Sequence, residues 1–489
     1  MAQSQISEFY NNKNVFITGG TGFLGKVLIE KLLRSTKLNK IYVLIRSKKG
    51  QGANERLKNI FSSSLFEKLK NEQPDFRTKV VPVCGSCELV DLGLSTQDKD
   101  LLISDVNIVF HLASSVSFFA NLVTLYEINC KGTQNVLTLC KEMEFLKVFI
   151  YVSTAYSNSN LSSIDEMVYD TPLKYTQVEQ ILKKSSVEEV INLSPKLIGT
   201  WPNRYTFSKA LAENVVRDGS GSFPIGIFRP AMVIPTHKDP LDNWSDSRSG
   251  PTIIIEFGLL GWIQFYTANH THLEIVPVDL TISALIAAAW DVCCNQNQRV
   301  LPVYNYVSSP DNPITNHEFL LLTCLQFRNY PSQKTIWVPN LQIQDKSTLS
   351  TTVLNYFHHF SRAIFLDFLR LLRFQKPEVV QGTIKILYFI KLCVYFANHE
   401  WSFSNNNIHE MWDRMNEIDK NKFNFDMKTV QWPQYLRNYT KGLKTYLLKE
   451  SLSTLPEAKA RVKRFQLVNN VLQCLFYLIG IGIIFIKLL

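Results

Sequence analysis

The sequence predicts an α/β fold built on a doubly wound parallel sheet. In the front half of the chain, short apolar, β-favouring runs alternate with helical patterns, and a glycine-rich turn joins the first run to the first helix. Strands that are apolar throughout are typical of a parallel sheet that helices cover on both faces. Because 489 residues exceed what one small core organises, we expect roughly two to four domains.

The composition is that of a globular protein, with 46% hydrophobic and 19% charged residues. The net charge of +10 suits an anionic membrane, a phosphorylated ligand or nucleic acid. No run of Lys and Arg interleaved with aromatic residues suggests a nucleic-acid groove, so no nucleic-acid partner is predicted. The nine cysteines are scattered, and the C-x-x-C pair Cys84 and Cys87 has no second pair at zinc spacing. We therefore expect reduced, cytosolic thiols and no metal site.

The two ends of the chain differ in character. The N-terminal MAQSQISEFYNNKN is polar and lacks the apolar core of a secretory signal. Residues 471–489 are almost wholly apolar, and roughly 20 apolar residues suffice for a helix to cross a bilayer. We therefore predict a C-terminal transmembrane helix over residues 467–489, the alternative being a buried C-terminal helix.

Basic residues next to this segment predict its orientation. They are Lys459, Arg461, Lys463 and Arg464. Because basic residues beside a span stay on the cytoplasmic side, we expect a single-pass C-terminal anchor with the rest of the protein facing the cytosol. The endoplasmic reticulum and the peroxisome are the two membranes we consider.

The glycine-rich turn predicts a dinucleotide site. The apolar run NVFI (14–17) leads into TGGTGFLG (18–25) and then into the helical pattern KVLIEKLLRS. Glycines spaced three apart let the backbone turn sharply and approach a pyrophosphate, and the following helix offers its N-terminus to the phosphates. Strand, glycine turn and helix together give the context that this fingerprint requires, so the sheet is predicted to be of Rossmann type.

A cation at the end of the second strand predicts which dinucleotide binds. Sites that prefer NAD place an acidic residue about 20 residues after the glycines, where it holds the ribose 2′-hydroxyl. Here the strand 40–47 ends in Arg46, followed by Lys48 and Lys49. A guanidinium pairs well with a 2′-phosphate, which favours NADPH. The alternative is that these are ordinary solvated loop charges.

Further alternating signals complete the predicted sheet. Residues 78–84, 106–114 and 145–157 are predicted strands, and residues 120–143 are a predicted helix. Ligands of such sheets bind beyond the carboxyl ends of the strands. The end of the last of these runs, at Ser153 and Thr154, is therefore a candidate site.

A tyrosine and a lysine about 50 residues further on add a candidate acid–base pair. The segment NRYTFSKALAE places Tyr205 and Lys209 one helical turn apart, so that both can face a pocket. Pro202 and Asn203 are predicted to open this helix. A phenol titrates near about 10, and a nearby ammonium favours the phenolate and lowers that pKa.

These residue types suit a carbonyl reduction. The hydroxyl of Thr154 or Ser153 can hold a substrate carbonyl, a nicotinamide can supply hydride, and the phenol of Tyr205 can supply the proton. Each residue also has a structural interpretation, because hydroxyl side chains cap strand ends and a tyrosine can be an ordinary half-buried aromatic. Their combination in one chain with the glycine turn favours the catalytic interpretation.

Five segments resemble an extended short-chain dehydrogenase/reductase: TGGTGFLG, VFHLASSVSF, YVSTAY, YTFSK and IFRPAMV. More closely, the chain is similar to alcohol-forming fatty acyl-CoA reductases of the animal, insect-like type. HLEIVPVDL (272–280) resembles the segment after that family's substrate region, and residues 403–450 resemble its C-terminal helical domain. A hydrophobic C-terminal tail is also common in the family.

The resemblance implies a reaction in two reductions. NADPH reduces a long-chain fatty acyl-CoA, CoA leaves at the aldehyde level, and a second NADPH gives the primary alcohol. In the family, the Y-x-x-x-K pair and the hydroxyl residue of the S-T-A motif are catalytic. These roles fall on Tyr205, Lys209 and Thr154, with Ser153 as the second candidate for the hydroxyl.

The resemblance also implies a set of cofactor-binding residues. Phosphate binding falls on Gly19, Gly22 and Gly25. The complete predicted set is Thr18, Gly19, Gly20, Thr21, Gly22, Phe23, Leu24, Gly25, Arg46, His111, Ala113, Tyr205, Lys209 and Pro230.

Two segments depart from the family pattern. Relatives often carry Gly-Asp after the third strand, where the acid meets adenine, whereas this chain has Gly85, Ser86, Cys87 and Glu88. That adenine contact is therefore in doubt. Residues 250–263 contain less glycine than expected. They either influence which acyl chain length the protein accepts or only form part of the core.

The back half is predicted to be largely helical. We predict an NADP-binding Rossmann and substrate-binding region over 1–340, a helical fatty acyl-CoA reductase domain over 355–450, and a polar linker over 340–355 between them. The aromatic-rich runs 356–374 and 383–397 line an acyl tunnel, lie on a membrane surface or pack together.

Two other functions fit parts of the sequence. An extended reductase acting on a sterol or a nucleotide-sugar would share the front half, and a non-catalytic membrane scaffold would keep an inactive dinucleotide domain. The expected partners are long-chain fatty acyl-CoA and membrane lipid, and a homo-oligomer is left open.

Overall fold

The structure is a computed structural model that describes residues 3–47, 50–294, 301–346 and 348–488, with side chains described as far as Cys474. The chain forms two compact units. Unit 1 comprises Met1–Leu241, Glu274–Pro313 and Glu400–Val430. Unit 2 comprises Asp242–Leu273, Ile314–His399 and Gln431–Leu489.

The described strands are, in chain order, β1 (Asn14–Thr18), β2 (Lys40–Ile45), β3 (Val80–Cys84), β4 (Ile108–His111), β5 (Val148–Val152), β6 (Ser163–Ile164), β7 (Ile225–Pro230), β8 (Met232–Ile234), β9 (Phe265–Thr267), β10 (Ile275–Pro277), β11 (Val303–Tyr306), β12 (Gln342–Gln344) and β13 (Ser402–Phe403). The described α-helices are α1 (Gln5–Phe9), α2 (Phe23–Ser35), α3 (Ala53–Phe61), α4 (Glu67–Glu72), α5 (Thr96–Asp105), α6 (Leu122–Leu125), α7 (Gly132–Glu142), α8 (Tyr175–Lys184), α9 (Val187–Ile198), α10 (Arg204–Asp218), α11 (Pro251–Leu259), α12 (Val278–Cys294), α13 (Asn316–Cys324), α14 (Leu349–Leu372), α15 (Val379–Asn398), α16 (Asn406–Arg414), α17 (Glu417–Lys422), α18 (Trp432–Gly442) and α19 (Leu455–Leu488).

Unit 1 is organised by a parallel sheet with the strand order β11-β7-β5-β4-β1-β2-β3. Helices α2 and α12 pack against each other, and α7 packs against α5 and α10. Strands β1 and β5 are buried along their whole length, as expected for a sheet that helices cover on both faces. The predicted doubly wound Rossmann-type sheet is therefore confirmed.

The order of the strands creates a crevice beside β1. The chain builds β2 and β3 on one side of β1 and then returns to place β4 on the other side. Where the winding direction reverses in this way, the loops that follow the two central strands separate and leave room for a ligand. The glycine turn after β1 and the segment after β4 both lie at this point.

Each predicted strand overlaps an observed one, and their bounds differ by a few residues. The strand predicted over 106–114 ends at His111, and β5 ends at Val152, where the run 145–157 passes into small residues. A 3-10 helix follows β5 at Ala155–Asn158, capped by the Thr154 side chain. The small polar residues after β5 form turns at the sheet edge instead of continuing the ladder.

The predicted helix over 120–143 is interrupted. It begins as α6, continues as a π-helical segment at Tyr126–Lys131 and ends as α7. A π-helical turn is rare and often marks a functional site. It changes which side chains face unit 1's interior, and Asn129 lies within it.

Unit 2 is mainly helical, with one small sheet formed by β9 and β12. The predicted polar linker over 340–355 is not a plain linker. It contains β12, which pairs with β9, and the first turns of α14, whose N-cap residue Thr348 forms a capping box with Thr351. The polar residues of this segment form a short strand, and two of them cap the start of α14.

One described helix, Val379–Asn398 (α15), is long and apolar enough to cross a membrane, although only 22% of its most apolar stretch is buried. Length and composition are the whole basis of that observation. The predicted transmembrane segment 467–489 falls within α19 as far as Leu488, and its side chains from residue 475 onward lie outside the described residues.

Candidate active site

The glycine turn after β1 forms a close-packed cradle. Gly19 has a φ of +74°, and a Cβ there would lie 2.7 Å from the backbone nitrogen of Ala113. A Cβ at Gly25 would meet the carbonyl oxygen of Gly19. Both obstacles are backbone atoms, so a side chain at either position forces the turn apart. The turn therefore requires glycine at these two positions, as a site for a pyrophosphate does.

The rest of the glycine segment leads directly into α2. Gly22 is the N-cap residue, and the helix begins at Phe23 and Leu24. Gly20 packs closely against β2, since a Cβ at this position would lie 2.6 Å from Val43 Cγ1. The N-terminus of α2 thus points its positive dipole end to the crevice, which suits the phosphates of a dinucleotide.

His111 connects this turn to the sheet by hydrogen bonds at both ring nitrogens. Thr133 donates its hydroxyl to Asn129 O at 2.6 Å, so it accepts from His111 Nε2 at 3.0 Å. His111 Nδ1 then accepts from the hydroxyl of Thr18 at 2.6 Å, and that hydroxyl oxygen accepts from Ala113 N at 3.2 Å. The histidine ring therefore fixes Thr18 and Ala113, two of the predicted cofactor-binding residues.

The environment keeps this histidine neutral. Its ring is fully buried, and burial together with the nearby Lys209 ammonium lowers the pKa of His111 to about 3. A neutral imidazole has one donor and one acceptor nitrogen, which matches the two hydrogen bonds. The contacts of the ring are to protein hydroxyls, and the predicted cofactor role of His111 stays a prediction.

Arg46 lies at the end of β2, as predicted, and it has two charged neighbours. Its guanidinium is 58% exposed, and its Nη1 lies 3.7 Å from a carboxylate oxygen of Glu88. Arg56, on α3, donates to the backbone carbonyl of Arg46 and, at 3.3 Å, to Thr21 Oγ1 in the glycine turn. Arg56 was not predicted to be a cofactor-binding residue, because the segment that forms α3 contains no recognisable motif. Lys48 and Lys49 lie outside the described residues.

Tyr205 and Lys209 lie on α10. The helix begins after Asn203, whose side chain accepts from Thr206 N at 2.9 Å. Lys209 is buried, donates to Val152 O at 2.8 Å, and places its Nζ 4.3 Å from the ring centroid of Tyr151. These contacts bring the lysine to the carboxyl end of β5, beside the candidate hydroxyls.

The protonation states differ from the expectation that the ammonium lowers the pKa of Tyr205. Burial raises the pKa of Tyr205 above its usual value, and burial lowers the pKa of Lys209 to about 7, against an opposing effect of Glu213. Desolvation disfavours the charged form of Lys209, whose Nζ faces the carbonyl oxygen of Val152 and the ring of Tyr151. Tyr205 is consequently a neutral phenol at physiological pH, the state that a proton donor needs.

The two candidate hydroxyls have different partners. Ser153 donates its hydroxyl to Glu213, which in turn accepts from Arg229 at 2.9 and 2.6 Å. Thr154 Oγ1 accepts from Tyr156 N at 3.3 Å, and its own proton has no acceptor among the described residues. The geometry therefore favours Thr154 as the hydroxyl that a substrate carbonyl can use.

Asn129 is a further residue of this site that sequence reasoning missed. Its side-chain amide accepts from Ser115 N at 2.8 Å and donates to Ser115 O at 3.2 Å and to Ser208 Oγ at 2.9 Å. Ser208 donates to the backbone carbonyl of Tyr205 at 2.7 Å. Asn129 thereby ties the segment after β4 to α10 and positions Tyr205. Asn129 lies in a π-helical turn, which departs from the 3.6-residue repeat of an α-helix, so the periodicity of the sequence did not indicate its position.

Two other features complete the site. Pro230 is buried at the carboxyl end of β7, and its predicted cofactor role stays a prediction. The ring of Phe118 lies edge-on to Tyr205 with 5.9 Å between centroids, and its loop neighbours Val116 and Phe119 are exposed. The catalytic tyrosine candidate therefore has an apolar surface beside it.

Two family models match the chain. Both carry the description Male sterility protein; the NAD-binding model covers residues 17–285 and the Sterile model covers residues 358–450. The first contains the glycine turn, Thr154 and the Tyr205–Lys209 pair. An NAD(P)-binding domain is thus supported by the family and by the cradle at Gly19.

Curated relatives align over nearly the whole chain. Fatty acyl-CoA reductase wat of Drosophila melanogaster is 33% identical over 477 residues, which cover 97% of this chain and 92% of that protein. Fatty acyl-CoA reductase 2 of Mus musculus is 35% identical over 481 residues, with 97% and 92% covered. Fatty acyl-CoA reductase 1 of Homo sapiens is 33% identical over 485 residues, with 98% and 93% covered.

Solved structures share the fold. The terminal R domain from the myxalamid PKS-NRPS pathway has a TM-score of 0.57 at 19% identity, with 90% of this chain and 93% of that chain covered. The reductase domain of a non-ribosomal peptide synthetase from Mycobacterium tuberculosis has a TM-score of 0.59 at 16% identity, with 90% and 95% covered. The near end-to-end match to curated relatives, together with both family models, shows that this chain is an oxidoreductase and belongs to the fatty acyl-CoA reductase family.

Proposed function

We propose that this protein reduces long-chain fatty acyl-CoA to the primary fatty alcohol with NADPH, releasing CoA through an aldehyde-level intermediate. The proposal is carried by one observation. Lys209 of the Tyr205–Lys209 pair reaches the carboxyl end of β5 next to Thr154, in a chain whose curated relatives are named fatty acyl-CoA reductases. The neutral phenol, the available hydroxyl and the cofactor cradle are the three groups that a carbonyl reduction requires.

When bound, NADPH would supply hydride, with one NADPH molecule used in each of the two reductions. In the first, the Thr154 hydroxyl donates to the thioester carbonyl oxygen and Tyr205 transfers its proton to that oxygen as the carbonyl carbon is reduced. The resulting thiohemiacetal breaks its carbon–sulfur bond, and CoA leaves as the thiol with the hydroxyl proton. Tyr205 regains a proton from solvent, and the aldehyde, held in the same position, is then reduced to the alcohol with this second proton.

The preference for NADPH rests on the two guanidinium groups at the end of β2 and on α3. Arg46 is exposed directly after β2, and Arg56 bridges Arg46 and the glycine turn. A 2′-phosphate placed between them gains charge-assisted hydrogen bonds that a 2′-hydroxyl does not. Glu88 opposes this preference, since it presents a carboxylate to the same guanidinium.

The apolar loop beside Tyr205 supports a fatty substrate. Phe118 contacts the tyrosine ring, and Val116 and Phe119 expose 60% and 57% of their surface. Apolar side chains that remain exposed beside a reactive group suit an apolar ligand. An acyl chain on this surface would leave its thioester beside the phenol.

A direct assay tests the proposal. The protein in membranes or detergent is incubated with NADPH and palmitoyl- or stearoyl-CoA, and fatty alcohol and free CoA are measured. Alcohol and CoA in equal amounts, with two NADPH consumed for each, is the expected result. NADPH binding without alcohol from any acyl-CoA chain length would refute it.

The proposed function includes attachment to a membrane of the endoplasmic reticulum or the peroxisome. We infer that residues 467–489 form the anchor, residues 1–340 the catalytic region, and residues 355–450 the helical reductase domain. The basic residues before the anchor support a cytosolic orientation of the active site.

A further inference from the structure

Helices α14 and α15 of unit 2 form an antiparallel hairpin that leaves much of its apolar surface uncovered. The two helices pack along each other, and a short turn joins them. Twelve of the twenty-eight large apolar side chains that the described part of the chain exposes lie between residues 349 and 388. They are Leu349, Val353, Leu354, Tyr356, Phe357, Ile364, Phe368, Leu371, Leu372, Phe374, Ile384 and Tyr388.

The exposed side chains of α14 are not scattered singly over its surface. Val353, Phe357, Ile364, Phe368 and Leu371 recur at intervals of four, seven, four and three residues, which places them on one helical stripe. Contiguous apolar patches of this kind are uncommon on soluble surfaces and mark an interaction site. The stripe continues to the turn, where Leu372 and Phe374 are also exposed.

Hydrogen bonds hold the turn between α14 and α15 in place. The carboxylate of Asp367 accepts from the backbone nitrogens of Glu378, Val379 and Val380, each at 2.9 Å, and so caps α15. Phe374 lies at the tip, fully exposed, with a φ of +56°. A bulky residue rarely adopts positive φ, and the chain carries the cost of about 1–2 kcal/mol while presenting a phenyl ring to solvent.

Cationic side chains outnumber carboxylates on this hairpin. Residues 349–398 contain six of them and two carboxylates. The cations are Arg362, Arg370, Arg373, Lys376, Lys385 and Lys391. Asp367 is occupied in capping α15, and Glu378 lies 3.7 Å from Arg370. Arg373 and Lys376 are exposed in the turn beside Phe374, and Lys385 and Lys391 are exposed further along α15. The apolar tip is therefore bordered by two cations.

The hairpin is joined to the base of the C-terminal helix within unit 2. The buried ring of Trp337 lies 6.3 Å from that of Phe365 on α14 and 5.8 Å from that of Phe465 on α19. Trp337 also donates to the side chain of Asn469 at 3.3 Å. The apolar stripe therefore belongs to the same packed unit as the start of the proposed membrane anchor.

We propose that the α14–α15 hairpin docks on an anionic phospholipid surface, with Phe374 and its apolar neighbours inserted among the acyl chains and Arg373 and Lys376 on the headgroups. An apolar stripe with a cationic border is the pattern of interfacial helices, and each cation near such a surface adds attraction to anionic lipid. The inference rests on the proposed membrane attachment but is independent of the catalytic proposal. The docked hairpin is a second contact beside the anchor.

Lipid photolabelling of the full-length protein tests the docking. The protein is reconstituted into vesicles of phosphatidylcholine, with or without phosphatidylserine, that contain a phospholipid with a photoactivatable acyl chain, and the labelled peptides are identified by mass spectrometry. We expect residues 364–376 to be labelled in phosphatidylserine vesicles far above the peptide that contains Val90, an exposed apolar side chain of unit 1. Equal labelling of the two peptides would overturn the proposal.

Two variants separate the apolar and the charged contributions. Phe374→Gly removes the ring and suits the positive φ, so it lowers labelling without lowering the melting temperature, whereas the control Val90→Ser leaves labelling of 364–376 unchanged. The double variant Arg373→Gln and Lys376→Gln lowers labelling by about threefold or more in phosphatidylserine vesicles only. Unchanged labelling of residues 364–376 in both variants would contradict the docking.

The remaining outcomes are also decisive. Cross-links between the hairpins of two copies, in place of lipid adducts, would identify a second copy of the chain as the occupant and overturn the proposal. Fatty alcohol formation is measured in the same vesicles. Loss of alcohol with labelling intact supports docking and counts against the catalytic proposal alone.

Discussion

Ser153 donates its hydroxyl proton to the carboxylate of Glu213, one turn beyond Lys209 on α10. The same carboxylate forms a buried ion pair with Arg229, whose side chain is wholly enclosed. A hydroxyl that is committed to a buried ion pair is held in place and is poorly suited to bind a substrate carbonyl as well. The neighbouring hydroxyl, on Thr154, has no such commitment.

This difference predicts opposite phenotypes for two conservative variants. Thr154→Val keeps the shape of the side chain and removes the hydroxyl, so alcohol formation falls by about a hundredfold or more in kcat. Ser153→Ala lowers the free energy of unfolding by about 1.5–3 kcal/mol, the usual value for a hydrogen bond to a charged group, with a smaller effect on kcat. Steady-state kinetics and denaturant unfolding of both variants measure this. A larger loss of kcat in Ser153→Ala would assign the role to the serine.

Burial of Lys209 predicts a dependence of stability on pH. Its pKa is lowered to about 7 in the folded protein and returns to about 10.5 on unfolding, so between these values the unfolded chain binds more protons. The free energy of unfolding therefore gains from this group as the pH rises from 7 to 10. Lys209→Met removes that contribution, and the difference between the two unfolding curves grows over this window by a few kcal/mol. Parallel curves would show that the lysine is not desolvated.

Arg46 predicts the choice of cofactor. Arg46→Asp removes a cation at the end of β2 and introduces repulsion of a 2′-phosphate, so the affinity for NADPH falls by about tenfold to a hundredfold while that for NADH is retained. Calorimetric titration with both cofactors measures the ratio. Lys68→Gln, a partly exposed cation paired with Asp239, is the matched control. An unchanged ratio in Arg46→Asp would refute the 2′-phosphate role.

Glu88 predicts the opposite change. Its carboxylate lies 3.7 Å from the Arg46 guanidinium and would repel a phosphate bound there. Glu88→Gln keeps the size of the side chain and removes that charge, so we expect NADPH to bind several-fold more tightly and NADH to be unaffected. Weaker NADPH binding in this variant would instead mean that Glu88 orients Arg46 for the phosphate.

The sheet and the cofactor cradle were predictable because they depend on local sequence. A strand that is buried on both faces must be apolar throughout, and a turn like that at Gly19 admits only glycine, so both leave a signature in a short segment. The helix start at Asn203 was predictable for the same reason.

The contacts that adjust the site were not predictable in this way. Ser153 with Glu213, Asn129 with Ser208, and Arg56 with Arg46 each join residues that are distant in sequence or lie on an unassigned element. The raised pKa of Tyr205 was missed for a related reason, since it is caused by burial, which is a property of the packed structure.

Tyr205→Phe tests the central claim most directly, since it removes only the phenolic oxygen. In one preparation, NADPH binding and fatty alcohol formation from palmitoyl-CoA are measured for this variant and for Tyr126→Phe, a control that loses a hydrogen bond of 3.0 Å to Tyr175 O elsewhere in unit 1. We expect Tyr205→Phe to bind NADPH normally and to form alcohol at least about a hundredfold more slowly, while Tyr126→Phe stays active. Alcohol formation at the wild-type rate by Tyr205→Phe would contradict the account.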